Sequence, residues 1–155
     1  MDYIIAIITN KIIIGTLLSV VVAQVLKIIT NFIKTGTFDY SFMLSSSGMP
    51  SGHSSGVVAL TTLIGFSQGF GSAIFAFAFG MAVVIMYDAM GVRQQSGKHA
   101  EMLNYLLDRY TIFSSEKEDA QHYLPERIGH TPEQVVCGAF LGIICATAFF
   151  LTVGL

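Results

Sequence analysis

Four long apolar runs, separated by short polar breaks and one wide polar interval, set the pattern of this chain. The first extends from about Lys11 to Ile33, behind a short apolar stretch, Tyr3 to Thr9, that either extends the helix or lies in the membrane interface. The second runs from about Ser54 to Phe70, where Gly69 and Gly71 mark a tight turn. The third follows from Ser72 to Asp88, and the fourth from Gln134 to Leu155. Each is apolar and long enough to cross a bilayer, for which about 20 helical residues serve. In the interval from Ala89 to Glu133, Met102, Leu103, Leu106, Leu107 and Tyr110 recur at helical spacing, with Lys98, Glu101 and Asp108 on the other side. That spacing predicts an amphipathic helix at the interface. Ser114 to His122 is charged and reads as a loop. The expected fold is all-α: one domain, residues 1–155, forming an integral membrane bundle of about four transmembrane helices plus a short interfacial helix.

Composition agrees with this pattern. Hydrophobic residues make up 53% and charged residues 12% of the chain, about half the charge of a soluble domain. Mean hydropathy is +0.66. No basic tail or aromatic-basic cluster points to nucleic acid. The N-terminal run opens with Asp2 and lacks a basic leader, so it reads as a span rather than a cleavable signal peptide. Gly65, Gly80, Gly138 and Gly142 are small faces that let membrane helices approach closely. Cys137 and Cys145 would stand about 12 Å apart on one helix, too far to bridge, and read as small buried hydrophobes.

Charge supplies the topology. With four spans, Lys34, Arg93, Lys98, Arg109, Lys117 and Arg127 fall on one side and Lys11 on the other. The positive-inside rule then predicts a multi-pass protein whose two large loops are cytoplasmic.

Candidate chemistry gathers on that same side. Gly48-Met49-Pro50-Ser51-Gly52-His53 precedes the second run, and Gly129-His130-Thr131-Pro132 precedes the fourth. Small residues admit a ligand close to the backbone. A proline at the first turn pre-sets a helix whose N-terminal N–H groups form an anion site. His53 and His130 titrate near neutrality and are the acid–base candidates, whereas His99 and His122 read as surface residues. Gln24, Lys27, Asn31 and Lys34 share one helical stripe, and a lysine inside a membrane helix is a functional candidate by default. Arg93 and Lys98 suit an anionic ligand, with Asp88 placed to orient a cation or a histidine. His53, Asp88, Glu101 and His130 have no tight metal-ligand spacing, so neither metal nor other cofactor is expected.

On these residues the chain resembles the divergent branch of the type 2 phosphatidic acid phosphatase superfamily, related to acid phosphatases and vanadium-dependent haloperoxidases. Pro50-Ser51-Gly52-His53 matches the superfamily's central segment. Lys27 and Lys34 have the spacing of its first segment, with lysine in place of arginine and no proline following. His130 to Val135 resembles the last segment, with Gln134 where an aspartate belongs and Tyr123 and Leu124 in the places of an upstream serine and arginine. The runs 87–93, 97–104 and 129–132 match the divergent branch itself. The resemblance implies hydrolysis of a lipid phosphate or polyprenyl (pyro)phosphate through a phosphohistidine. His130 would be nucleophile and His53 the acid; Lys27, Lys34, Ser51, Gly52, Arg93 and Lys98 would hold phosphate, and Asp88, Glu126 or Glu133 would take the place of the carboxylate that orients His130. Arg93 is assigned from position and charge rather than from the superfamily motif. The expected partners are the lipid phosphate and membrane lipids, with a homo-oligomer left open. The alternative is a non-catalytic lipid- or anion-binding membrane protein.

Overall fold

The computed structural model describes residues 2–36, 48–110, 124 and 129–155, apart from the side chains of Asp2, Lys34, Arg93, Asp108 and Tyr110. The expected loop at 114–122 lies outside them. Among the described residues, six helices follow in order: α1 (Asp2–Ile8), α2 (Lys11–Thr35), α3 (Gly52–Gln68), α4 (Ala73–Met90), α5 (Val92–Tyr110) and α6 (Pro132–Val153). The early apolar stretch is a separate helix, α1, because Asn10 stops it and caps α2: its side chain accepts from the N–H groups of Ile12 and Ile13.

Side-chain size sets the packing of α2, α3, α4 and α6. α2 and α3 are antiparallel, with Gly15 against Leu63, Val20 against Gly56 and Gln24 against Gly52. α4 returns beside α3: Thr61 donates to the carbonyl of Ala78, and Phe70 meets Phe75. α6 runs parallel to α3, with Gly138 on Ser51 and Ser54, Gly142 on Ser55 and Ala59, and Phe66 stacked on Phe150. A Cβ at Gly142 would stand 2.5 Å from the Ser55 carbonyl oxygen, so only glycine permits this approach. The central helix is therefore α3, enclosed by the other three.

The burial pattern is that of a membrane protein. The inner column of α2 is Gly15, Ser19, Ala23 and Lys27, at strict four-residue spacing, while Leu17, Val21, Val25 and Ile29 face outward. Ser19 and Ser55 are fully buried and hydrogen-bond through their hydroxyls at 2.7 Å. Lipid is as apolar as any core, so small and polar residues go inside and large apolar ones outside.

Three stretches among the described helices have the length and apolarity of a span: Lys11–Ile33, Ala73–Leu107 and Pro132–Val153. The second contains α4 and continues through α5 across the single residue Gly91. α3, with 17 residues, is about 26 Å long. It crosses the bundle inside the other three helices and shows little of itself to lipid. The fold is thus an all-helical, multi-pass membrane bundle.

α5 forms where an amphipathic helix was expected, but it packs by a different face. Gly97, Ala100 and Asn104 are buried, whereas Met102, Leu103 and Leu106 are exposed. The large apolar residues mark the lipid side, as elsewhere in the bundle. Cys137 is exposed rather than buried, for the same reason, and Cys145 is half-buried.

Candidate functional site

The helix directions bring the C-terminal ends of α2 and α4 and the N-terminal ends of α3 and α6 to one end of the bundle. Two helix N-termini there offer partial positive charge to an anion.

Lys27 is buried in α2 at 2% exposure. The backbone at Gly48 lies over its stem, and a Cβ there would meet Lys27 Cγ at 3.0 Å and Cδ at 3.1 Å. Gly48 also has φ +115, so both space and backbone conformation require glycine. Thr30 holds this crossing by donating its hydroxyl to the Met49 carbonyl. Gln24, one turn inward, faces Gly52, and its Oε1 is buried without a hydrogen bond among the described residues.

Pro50 does not begin α3. It follows a cis peptide bond and precedes the N-cap, Ser51. The buried Ser51 hydroxyl accepts from the N–H and the hydroxyl of Ser54. Ser51 N–H donates to the Gln134 carbonyl at 3.0 Å, tying α3 to the first turn of α6. Ser51, expected to hold phosphate, is thus engaged in the cap. Gly52 and His53 occupy the first two helical positions, and His53 is exposed.

His130 lies across from His53, the ring centroids 6.3 Å apart and the planes at 61°. It is 3% exposed, and its N–H donates to the Ala89 carbonyl at the end of α4. Thr131 caps α6, with Pro132 at the first helical position and Gln134 completing a capping box. Gln134 Oε1 accepts from Thr131 N–H at 3.2 Å and lies 3.1 Å from His130 Nδ1. The backbone donor identifies that amide atom as oxygen, so Nδ1 must be the ring nitrogen carrying hydrogen. In the neutral ring Nε2, which is buried, then holds the lone pair, the arrangement a nucleophilic imidazole requires.

The structure therefore brings Lys27, Ser51, Gly52, His53 and His130 to one end, with half-buried Asp88 beside the Ala89 carbonyl that holds His130. Lys98 lies on the neighbouring helix α5. It is exposed there, next to the packed face rather than on it, and so is His99. Lys34 and Arg93 lie on α2 and α5, but their side chains, like Glu126 and His122 entirely, are outside the described residues. Among the described residues, no three histidine, cysteine or acidic side chains gather as metal ligands.

Sequence reasoning missed two features. One is the double use of Gln134, for which the Thr131–Gln134 capping spacing was the available signal. The other is Asn104, 4% exposed, whose carboxamide donates to the Leu124 carbonyl and accepts from the Leu124 N–H, both at 2.9 Å.

An inward-facing lysine, paired histidines and two capped helix mouths thus stand at one end of a multi-pass helical membrane bundle. The chain belongs to the Divergent PAP2 family, whose sequence profile matches residues 8–145. Among its relatives is the uncharacterized membrane protein YuiD of Bacillus subtilis strain 168, 35% identical over 144 residues, covering 88% of this chain and 91% of that protein. No solved structure matches.

Proposed function

We propose that this protein is a membrane phosphatase that hydrolyses a lipid phosphate or a polyprenyl (pyro)phosphate at the cytoplasmic face. The observation that carries the reading is the His53–His130 pair, with Gln134 holding hydrogen on Nδ1 and leaving Nε2 as the nucleophile. Family membership supports the same class of chemistry.

In this reading the apolar tail stays in the bilayer and the headgroup arrives on the exposed His53 side. His130 Nε2 attacks the terminal phosphorus, and its P–O bond to the leaving group, the lipid alcohol of a monoester or the polyprenyl phosphate of a pyrophosphate, breaks. The departing oxygen takes the bond's electron pair and a proton from His53. A water then gives a proton to His53 while its oxygen attacks phosphorus. The P–N bond breaks and returns its electron pair to Nε2. Lys27 and the N–H groups leading α3 offset the charge on the phosphoryl oxygens, with Lys34 and Arg93 assigned to the same task from sequence position.

A second reading, a non-catalytic lipid- or anion-binding membrane protein, is favoured by one feature. Gln134 is a neutral amide and stabilises a cationic imidazole less than a carboxylate would. One assay separates the two readings. Purified protein in detergent is given a panel of lipid phosphates and polyprenyl pyrophosphates, and released phosphate is measured with and without chelator. Release that disappears in His130→Ala supports the phosphatase. No release from any substrate, together with His130-dependent vanadate binding, supports the binding protein.

A further inference from the structure

We propose that Thr30 is a positioning residue for the phosphoryl site: its hydroxyl clasps the segment 48–50 onto α2 and so fixes the stem of Lys27. The inference rests on the reading of Lys27 as a group that offsets phosphoryl charge. Thr30 belongs to none of the motifs that point to the site.

The hydroxyl of Thr30 has an unusual target. In Thr16 and Thr35 of α2, Thr61 and Thr62 of α3 and Thr152 of α6, the hydroxyl donates to the carbonyl four residues back. That is the ordinary choice for a helical threonine. Thr30 turns instead to the Met49 carbonyl, 19 residues away in the chain, and the Lys27 carbonyl lies 3.0 Å from the same hydroxyl oxygen. One side chain thus joins the backbone that carries Lys27 to the segment that crosses it.

The crossing is tight. Beside Met49, the backbone of Gly48 lies along the Lys27 stem, where a Cβ would meet Cγ, Cδ and Cε at 3.0, 3.1 and 3.6 Å. On the other side of Met49, Pro50 leads into Ser51, whose N–H is tied to the Gln134 carbonyl of α6 at 3.0 Å. The segment is therefore anchored from two helices, and Thr30 anchors it to α2. A lysine stem is flexible. A wall along Cγ, Cδ and Cε leaves few rotamers open and delivers the ammonium to one place, whichever groups that ammonium bonds. Stabilising a transferring phosphoryl group takes charge that is already in position. Without the clasp the segment stays tied to α6 but can lift from α2, and Lys27 keeps its charge while losing its wall. The loss falls on binding of a transition-state mimic more than on binding of phosphate.

The test uses the full-length protein in detergent and three substitutions. Thr30→Val keeps the shape and removes the donor, Thr30→Ser restores the donor, and Thr16→Val is a control on the same helix. Two measurements need no turnover. Oxidation of half-buried Met49 by hydrogen peroxide, followed by mass spectrometry, reads release of the segment, with exposed Met102 as internal reference. Calorimetric titration reads the affinities for vanadate and for inorganic phosphate. In the wild type Met49 oxidises more slowly than Met102. Thr30→Val brings the Met49 rate up towards that of Met102. It also weakens vanadate binding about tenfold, the order of one lost buried hydrogen bond, and changes phosphate binding less. Thr30→Ser rescues both measurements, and Thr16→Val leaves both at the wild-type value. In the phosphatase assay Thr30→Val lowers kcat by about the factor lost in vanadate affinity, with KM nearly constant.

The proposal is overturned if wild-type Met49 oxidises as fast as Met102, or if Thr30→Val leaves either Met49 oxidation or vanadate affinity unchanged. It is equally overturned if Thr30→Ser fails to rescue them, or if Thr16→Val shifts them as much. A loss of phosphate affinity as large as that of vanadate would mean general loosening rather than misplaced charge, and sinks the idea too. Should Thr30→Val not fold, Thr30→Ala takes its place in every comparison. A wild type that binds vanadate in a Thr30-dependent way but releases no phosphate from any lipid removes the phosphatase reading and leaves the clasp standing. A wild type that binds no vanadate removes both.

Discussion

Gln134 serves two donors with one oxygen, the Thr131 N–H of the helix cap and Nδ1 of His130. Its identity thus follows from a capping box as well as from the histidine. Aspartate, a methylene shorter, would reach Nδ1 only by giving up the cap, whereas Gln134→Glu keeps the reach and adds charge. A hydrogen bond to a charged partner is worth about 1.5–3 kcal/mol against about 1 for a neutral one. We expect Gln134→Glu to raise kcat by roughly tenfold, at 1.4 kcal/mol per decade. A rate that is unchanged or lower would mean that no carboxylate is missing here. His130→Ala should abolish phosphate release while the protein keeps its helical circular dichroism and its elution volume. His53→Ala should lose least on substrates with good leaving groups, because an acid matters little when the departing oxygen is already a weak base. That the two histidines stand at neighbouring helix mouths was legible from their glycine-led contexts. The Gln134 bifurcation was not, because a residue at the third helical position has no stated target until the ring beside it is placed.

Close approach at the level of the helices depends on glycines whose partners the structure identifies. Gly142 admits the Ser55 carbonyl and the Ala59 N–H, so Gly142→Ala pushes α6 off the central helix. Overpacking of this kind costs about 1–3 kcal/mol, which should appear as a lower midpoint of thermal unfolding in detergent. A change of less than about 0.5 kcal/mol, the size of an ordinary surface substitution, would show that the interface relaxes instead. The Ser19–Ser55 pair, buried between α2 and α3, is the polar link at mid-bundle. Buried hydrogen bonds between membrane helices average about 0.6 kcal/mol, so a double-mutant cycle with alanine at both positions should return a coupling of that order. The small-residue faces could be read from glycine spacing on α6. The true inner column of α2 could not, because Ser19 and Ala23 look like ordinary members of an apolar run. α5 was legible as amphipathic, yet its packed side is the one with small residues and Asn104. In lipid a large apolar face no longer implies a protein core.

The whole bundle sets one end apart from the other, and three predictions follow from which end carries the chemistry. Ser115→Cys, in a background with Cys137 and Cys145 changed to serine, should react with a membrane-impermeant maleimide only after cells are opened. Labelling of intact cells would reverse the orientation and with it the accessible substrate pool. Phosphate release should survive chelation, because Lys27 and the helix N-termini provide positive charge at the site. It should also be inhibited by vanadate, which mimics the five-coordinate phosphoryl group. A strict requirement for an added divalent ion would show instead that charge from outside the chain is needed.

Hydropathy was sufficient to define a multi-pass helical membrane protein, since a bilayer demands long apolar helices and internally satisfied backbones whatever their packing. The Pro50–His53 and Gly129–Pro132 segments likewise announced themselves, because helix starts are encoded locally by caps, prolines and glycines. Tertiary structure alone decided that α3 is the central helix. It also decided that Gly48 closes over Lys27 and that one amide oxygen selects the His130 tautomer. Asn104 could be paired with Leu124 only in space. Each of these is a contact between segments far apart in the chain, and its energy depends on distances that a one-dimensional pattern does not contain.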